Sequence, residues 1–306
     1  MSNYNFNNIE KNFLVFQKKE VVEEKIKNVV LYTQVNNTSE TWQKDREYKE
    51  RYRNTLQGKI AEDMFIEFVM AKRNNSGIEY LSYDEIRMDE NKKHAPFDGL
   101  LYKRGNPCLS EAKKRIIRDL SISGAGKITV ETRNFLRDSR IYSVEIKSSM
   151  IPERLLEGIC ESNFNQLEIQ KKLVSMLRTL DIFSYPLYFR DKGEEIGDFT
   201  QYCNYIKSNA SQYGLPGGEK FCDELIANEI DNKSHIHTRI FIDKKHSKSY
   251  VGYFTGYALN HEFFEEPKII KMYREGKSEK ALYYVFPIRK ARALVDIFED
   301  ERLWPS

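Results

Sequence analysis

The chain has 306 residues, 40% of them hydrophobic and 31% charged, with a formal net charge of +3. That is enough for one large or two modest globular domains, and no run approaches the ~18 uninterrupted apolar residues of a membrane span. The first residues lack a basic segment leading into an apolar run, and Cys108, Cys160, Cys203 and Cys222 are scattered with no C-x-x-C pair. Together these point to a cytoplasmic protein with reduced thiols, no secretory signal and no membrane partner. The mild net charge hides local patches. Lys103 to Arg118 holds six basic residues against one acid, and Lys233 to Tyr257 holds five against one, a distribution suited to touching phosphate on one face.

Taken in chain order, residues 8 to 34 carry apolar positions near helical spacing (Ile9, Phe13, Phe16, Val21, Val22, Ile26, Val29, Val30) and read as a helix. Asn36 to Ser39 reads as a turn, and Lys44 to Arg53 as a solvated helix face. A second helix over Leu56 to Lys72 presents Ile60, Met64, Phe65, Phe68 and Val69. Strands are expected at Tyr80 to Ile86 and Phe97 to Tyr102, and a helix capped by Ser110 at Ser110 to Leu120. Beyond the Ser123-Gly124-Ala125-Gly126 turn, strands are expected at Lys127 to Thr132 and Ile141 to Ser148. A helix region then opens at Pro152, with a helix over Phe164 to Leu180 and a strand over Ile182 to Phe189. After the break at Tyr213 to Gly218 come two β-rich runs, His237 to Asp243 and Tyr250 to Leu259. They read as a hairpin whose tip is Lys244-Lys245-His246-Ser247-Lys248. A helix near Phe263 to Arg274, a strand at Leu282 to Phe286 and a helix at Ala291 to Phe298 complete the pattern. The organisation expected is a helical region over 1–54, a core over 55–190 and a β-rich C-terminal region over 191–306, a candidate DNA-contacting subdomain.

Three short constellations carry chemistry. In Ile141 to Ser149, strand alternation puts Ser143, Glu145 and Lys147 on one face and Tyr142, Val144 and Ile146 on the other. A carboxylate there can hold a hard divalent cation beside an ammonium that orients water or a scissile phosphate. In Pro96-Phe97-Asp98-Gly99-Leu100-Leu101, an acid and a glycine interrupt an apolar run. That reads as a second oxygen ligand or as a hairpin turn. In Gly58-Lys59-Ile60-Ala61-Glu62, the wheel places Glu62 inside the apolar arc, where a carboxylate needs a metal or a cationic partner. A competing acid-lysine pair, Glu111-Ala112-Lys113, lies only 13 residues after Asp98, whereas Glu145 lies 47 after it. The flanks of the nearer pair favour a helix, those of the farther pair a strand.

Together these elements resemble the PD-(D/E)xK, restriction-endonuclease-like nuclease superfamily. In that family a helix with an acid precedes a strand bearing the Asp and then one bearing (Glu/Asp)-x-Lys. The resemblance covers roughly residues 55 to 190. It implies an α/β fold, a mixed β-sheet core flanked by helices; the β-rich C-terminal region reads as a subdomain or as an extension of that core. It implies Mg2+, with Mn2+ able to substitute, held by Asp98, Glu145 and the Ile146 backbone carbonyl with Glu62 as auxiliary ligand. Lys147 would orient or activate water. A free-standing chain of this size is most like a type II restriction endonuclease, which implies double-stranded DNA as substrate and a homodimer. Lys244, Lys245, Lys248 and His246 at the hairpin tip, and Lys113, Lys114 and Arg115, are the candidate DNA contacts. A repair, recombination or phage-type nuclease of low specificity, a non-catalytic DNA-binding protein on the same fold, and an RNA-cleaving toxin are the alternatives. No G-x-x-x-x-G-K-[ST] is present, so no ATP partner is expected. His235, His237, His246 and His261 fit no common zinc spacing.

Overall fold

In the computed structural model, the described residues are 6–10, 13–19, 47–88, 95–122, 127–151, 166–184, 204, 208, 227, 229–245, 249–273 and 280–305. The chain is a mixed α/β protein built on a seven-stranded sheet. Its strands, in chain order, are β1 (Phe6–Glu10), β2 (Phe13–Lys19), β3 (Ile78–Ser82), β4 (Gly99–Lys103), β5 (Ile141–Met150), β7 (Ile236–Lys245) and β8 (Ser249–Leu259). Across the sheet they run β1-β2-β8-β7-β5-β4-β3, antiparallel throughout except for the parallel β5–β7 pair. A three-stranded antiparallel sheet is formed by β6 (Asp181–Ser184), β9 (Ile269–Tyr273) and β10 (Lys280–Pro287), with β10 central.

Helix α1 (Tyr48–Ser76) lies on one face of the large sheet. Its Ile60, Met64, Phe65, Phe68 and Val69 are buried against Leu101, Val144, Ile146, Ile240 and Phe254. It stops at Gly77, whose φ of 67° lets the amide close on the Arg73 carbonyl, a left-handed cap that glycine adopts without strain. The opposite face is covered in two parts. Helices α2 (Leu109–Ile122) and α3 (Val130–Asp138) pack Ala112, Ile116, Leu120 and Leu136 on Leu100, Tyr102 and Ile141. Helix α4 (Gln166–Leu177) and the small sheet pack Leu173, Val174, Leu177, Tyr284 and Phe286 against Phe13, Val15, Phe241 and Tyr253. Among the described residues, no helix is long and apolar enough to cross a membrane.

Several local expectations are corrected. The helix expected over 8–34 is replaced, where described, by β1 and β2. Phe13 and Val15 face one core layer and Leu14 the other. A strand buried on both faces therefore shows a continuous apolar run that mimics helical spacing. Within 1–54 the described residues are two strands that extend the main sheet and the start of α1, which crosses the boundary at 54. Lys127 to Thr132 is not a strand. The Thr129 hydroxyl accepts the Thr132 amide and caps α3. Ser110 is not the cap of α2, which begins at Leu109 behind an Asn106 side chain that accepts the Cys108 amide at 2.9 Å. The described part of the expected Phe263 to Arg274 helix, up to Tyr273, is a 3-10 turn (Asn260–Phe264) followed, past Pro267, by β9. The expected Ala291 to Phe298 helix is a 3-10 segment, Leu294–Phe298.

The C-terminal β-rich region, expected as a subdomain or as an extension of the core, is such an extension in its described strands β7 and β8. β7 and β8 lie in the middle of the main sheet because β7 hydrogen-bonds along β5. The expectations for Asn36 to Ser39, the helix region opening at Pro152, Ser123 to Gly126, Tyr213 to Gly218, His246 to Lys248, Cys160, Cys203 and Cys222 lie outside the described residues. Cys108 is half-buried and unpaired.

Candidate functional site

Two of the three constellations meet where β4 begins, and Glu62 of the third acts on Asp98 through its charge. β3 pairs with β4 from Ile78–Lys103 to Ser82–Gly99, and β4 pairs with β5 until Gly99 faces Val144. Asp98 is the next residue, and the antiparallel register carries it opposite Glu145. Its amide donates to the Val144 carbonyl at 2.9 Å, and its Oδ2 accepts the Ile146 amide at 2.5 Å. Asp98-Gly99 is thus the entry to a strand, not a hairpin turn. In an antiparallel ladder the N–H and C=O of one residue share an edge, so the Ile146 carbonyl lies on the same open edge as the amide that reaches Asp98.

Glu145 and Lys147 share a face of β5 as the alternation requires, and they form an ion pair with side chains 25% and 23% exposed, open to a ligand. Burial raises the Asp98 carboxyl well above the usual range, and the charges of Glu145 and then Glu62 raise it further, against the Ile146 amide and Lys147. Glu145 itself is held low. Burial would lift it, but the charge and hydrogen bond of Lys147, then His237 and Lys233, outweigh that. Lys147 is raised: burial opposes its charge, and the partner Glu145 overcomes burial.

Glu62 enters from α1. It is 8% exposed, as its place in the apolar arc requires. Ser82 donates to its Oε1 at 2.5 Å, and the Lys59 ammonium reaches Oε2 at 2.7 Å while also pairing with Asp84. Burial would lower Lys59, but Glu62 and Asp84 push it up to about 12. The buried acid therefore has its cationic partner within the chain, and its two oxygens are taken by Lys59 and Ser82.

Several participants escaped the sequence reading. Tyr80 lies across Gly99 so closely that a Cβ there would collide with the ring, which is the close approach the glycine signalled. His237 stands opposite Glu145 on β7 and is pushed down to about 4 by burial, against the pull of Glu145, so it is neutral at neutral pH. Lys233 pairs with buried Glu229 at 3.6 Å. Buried Arg133 donates to the Lys233 carbonyl at 3.0 Å, and burial brings it down to about 10 with Glu145 as counter-charge. Arg239, opposite Lys147, bonds Ser149 and lies over Phe183 and Phe241. For Lys233 and Arg239 the only signal was the count of basic residues from Lys233 onward.

The rival pair Glu111-Ala112-Lys113 lies on α2. Ala112 is buried, and exposed Glu111 pairs with Arg115 at 2.9 Å. Arg115 also stacks on Phe135, while Lys114 faces solvent. The backbone of Lys244 and Lys245 closes the β7–β8 ladder, with Lys245 opposite Ser249. Their side chains, and His246 and Lys248, lie outside what the structure describes.

Among the described residues, no group of three His, Cys, Asp or Glu side chains is gathered tightly enough to enclose a metal ion. Two facing carboxylates and a carbonyl on an open strand edge are nonetheless the hard oxygen donors that Mg2+ and Mn2+ take, with water completing the shell. No protein-family model, curated protein or solved structure matches the chain.

Proposed function

We propose that the protein is a Mg2+-dependent nuclease hydrolysing DNA phosphodiesters, on a restriction-endonuclease-like core formed by α1, β3, β4, β5, α4 and β7. One observation carries the reading. The Ile146 amide binds the Asp98 carboxylate, which brings Asp98 and Glu145, 47 residues apart in sequence, to facing positions with Lys147 alongside, the arrangement that a PD-(D/E)xK reading needs.

Asp98, Glu145 and the Ile146 carbonyl would hold the cation, which when bound polarises the phosphate and lowers the pKa of water. Mn2+ would substitute for Mg2+. Lys147, charged and kept in place by Glu145, would orient the attacking water or neutralise a phosphate oxygen. Glu62 contributes negative potential from α1, with Lys59 and Ser82 fixing its orientation; in a loaded site it would be an auxiliary ligand. His237 is neutral and Arg133 and Lys233 are buried near Glu145, so they set the field around the carboxylate. Exposed Lys103 and Arg104 at the end of β4, and Lys114 and Arg118 on α2, offer phosphate contacts.

A type II restriction endonuclease acting as a homodimer on double-stranded DNA is the form we favour, by resemblance alone. Digestion of unmethylated plasmid and phage DNA with Mg2+ tests it. Discrete bands are expected; a smear would assign a nuclease of low specificity, and retained binding without cutting a non-catalytic module.

A further inference from the structure

The Tyr80 hydroxyl is buried and has no hydrogen-bond partner among the described residues. An orphaned hydroxyl in a folded core is costly unless something satisfies it in the working state. Its position is built. The ring is held by an edge contact with Phe65 at 5.3 Å and lies over Gly99, where any larger residue would displace it. Burial and then the charges of Glu62, Asp98, Asp84 and Glu145 raise its pKa well above the ordinary phenol range, so it remains a donor surrounded by acceptors. The neighbour of Gly99 is Asp98, which has given one oxygen to the Ile146 amide. Its other oxygen takes no hydrogen bond among the described residues. The cluster thus holds one buried unmatched donor, whose ring lies over the glycine next to Asp98.

We infer that Tyr80 is a positioning residue for Asp98: its hydroxyl is the donor that fixes the free Asp98 oxygen when the site takes up a divalent cation. The inference rests on the reading of Asp98 and Glu145 as cation ligands. Partners that orient a ligating carboxylate characteristically contribute about 10-fold or more to metal affinity. Removing a hydroxyl that is unpaired in the cation-free protein should cost that protein nothing.

The test is calorimetric titration of the full chain with Mn2+ alone, without DNA, for wild type and Tyr80→Phe, with thermal unfolding of both in the absence of divalent ions. The expected result is Mn2+ binding about 10-fold weaker in Tyr80→Phe, with an unchanged or higher unfolding temperature of the cation-free variant. Equal Mn2+ affinity in the two proteins would overturn the role of Tyr80 while leaving the cation site standing. A lower unfolding temperature of cation-free Tyr80→Phe would also overturn it, since the hydroxyl would then be paired already. Absence of Mn2+ binding to wild type would remove the cation site itself, and the inference with it.

Discussion

The Ile146 amide donates to the Asp98 carboxylate at 2.5 Å, one position beyond the point where β4 stops pairing with β5. That bond uses the edge of β5 left open by the start of β4. It fixes the orientation of an acid that burial, Glu145 and Glu62 all push toward protonation. In the cation-free protein the like-charge repulsion therefore favours a proton on Asp98.

Asp98 is the first place to test this. Its folded pKa is raised above 3.8, so its contribution to stability is fully present below that value and is lost as pH rises through the raised pKa. Cation-free wild type should lose stability over that window, and Asp98→Asn should flatten the loss. Mn2+ affinity of wild type should rise over the same window, because proton and cation compete. Urea unfolding across pH checks the first expectation and calorimetry the second. Equal pH profiles for wild type and Asp98→Asn would contradict the raised pKa.

Lys59 provides an independent check of the α1 layer. Lys59→Met leaves Glu62, 8% exposed, without its cation. A loss of about 2–3 kcal/mol is expected, below the 3–5 kcal/mol of a fully buried broken pair because Lys59 is partly exposed. Adding Glu62→Gln should recover much of it. Additive losses in the double variant would show that the two side chains do not stabilise one another.

The hairpin end tests how DNA is held. Replacing Lys244, Lys245 and Lys248 by alanine should weaken DNA binding and reduce the slope of log K against log salt by roughly 2 to 3 units, at about 0.9 for each phosphate no longer neutralised. Cleavage at saturating DNA should change little. An unchanged slope would assign the tip to solvent and direct attention to Lys103 to Arg118.

What the sequence made legible follows from periodicity. β5 was readable because one face, Tyr142, Val144 and Ile146, differs from the other, Ser143, Glu145 and Lys147. The buried arc of α1, with Glu62 in it, followed from a helical wheel. β2 was not readable, since burial of Phe13, Leu14 and Val15 in two layers erases the period of two. Thr129 looked like part of a strand because its branched side chain serves equally well as a helix cap. The pairing of β7 with β5 joins residues about 90 apart in sequence, which no local pattern encodes. For the same reason His237, Lys233 and Arg133 could not be placed beside Glu145. Tyr80 left a trace only in Gly99.

Whether Asp98 and Glu145 form one catalytic centre is decided by the single-turnover rate of plasmid cleavage with Mg2+ for wild type, Asp98→Asn, Glu145→Gln and Glu111→Ala, with DNA affinity measured in parallel. Cleavage should vanish in Asp98→Asn and Glu145→Gln while their DNA binding is retained or tightens, because a charge that repels phosphate has been removed. Glu111→Ala should cut like wild type. Wild-type cleavage by Glu145→Gln, or loss confined to Glu111→Ala, would contradict a shared Asp98–Glu145 centre.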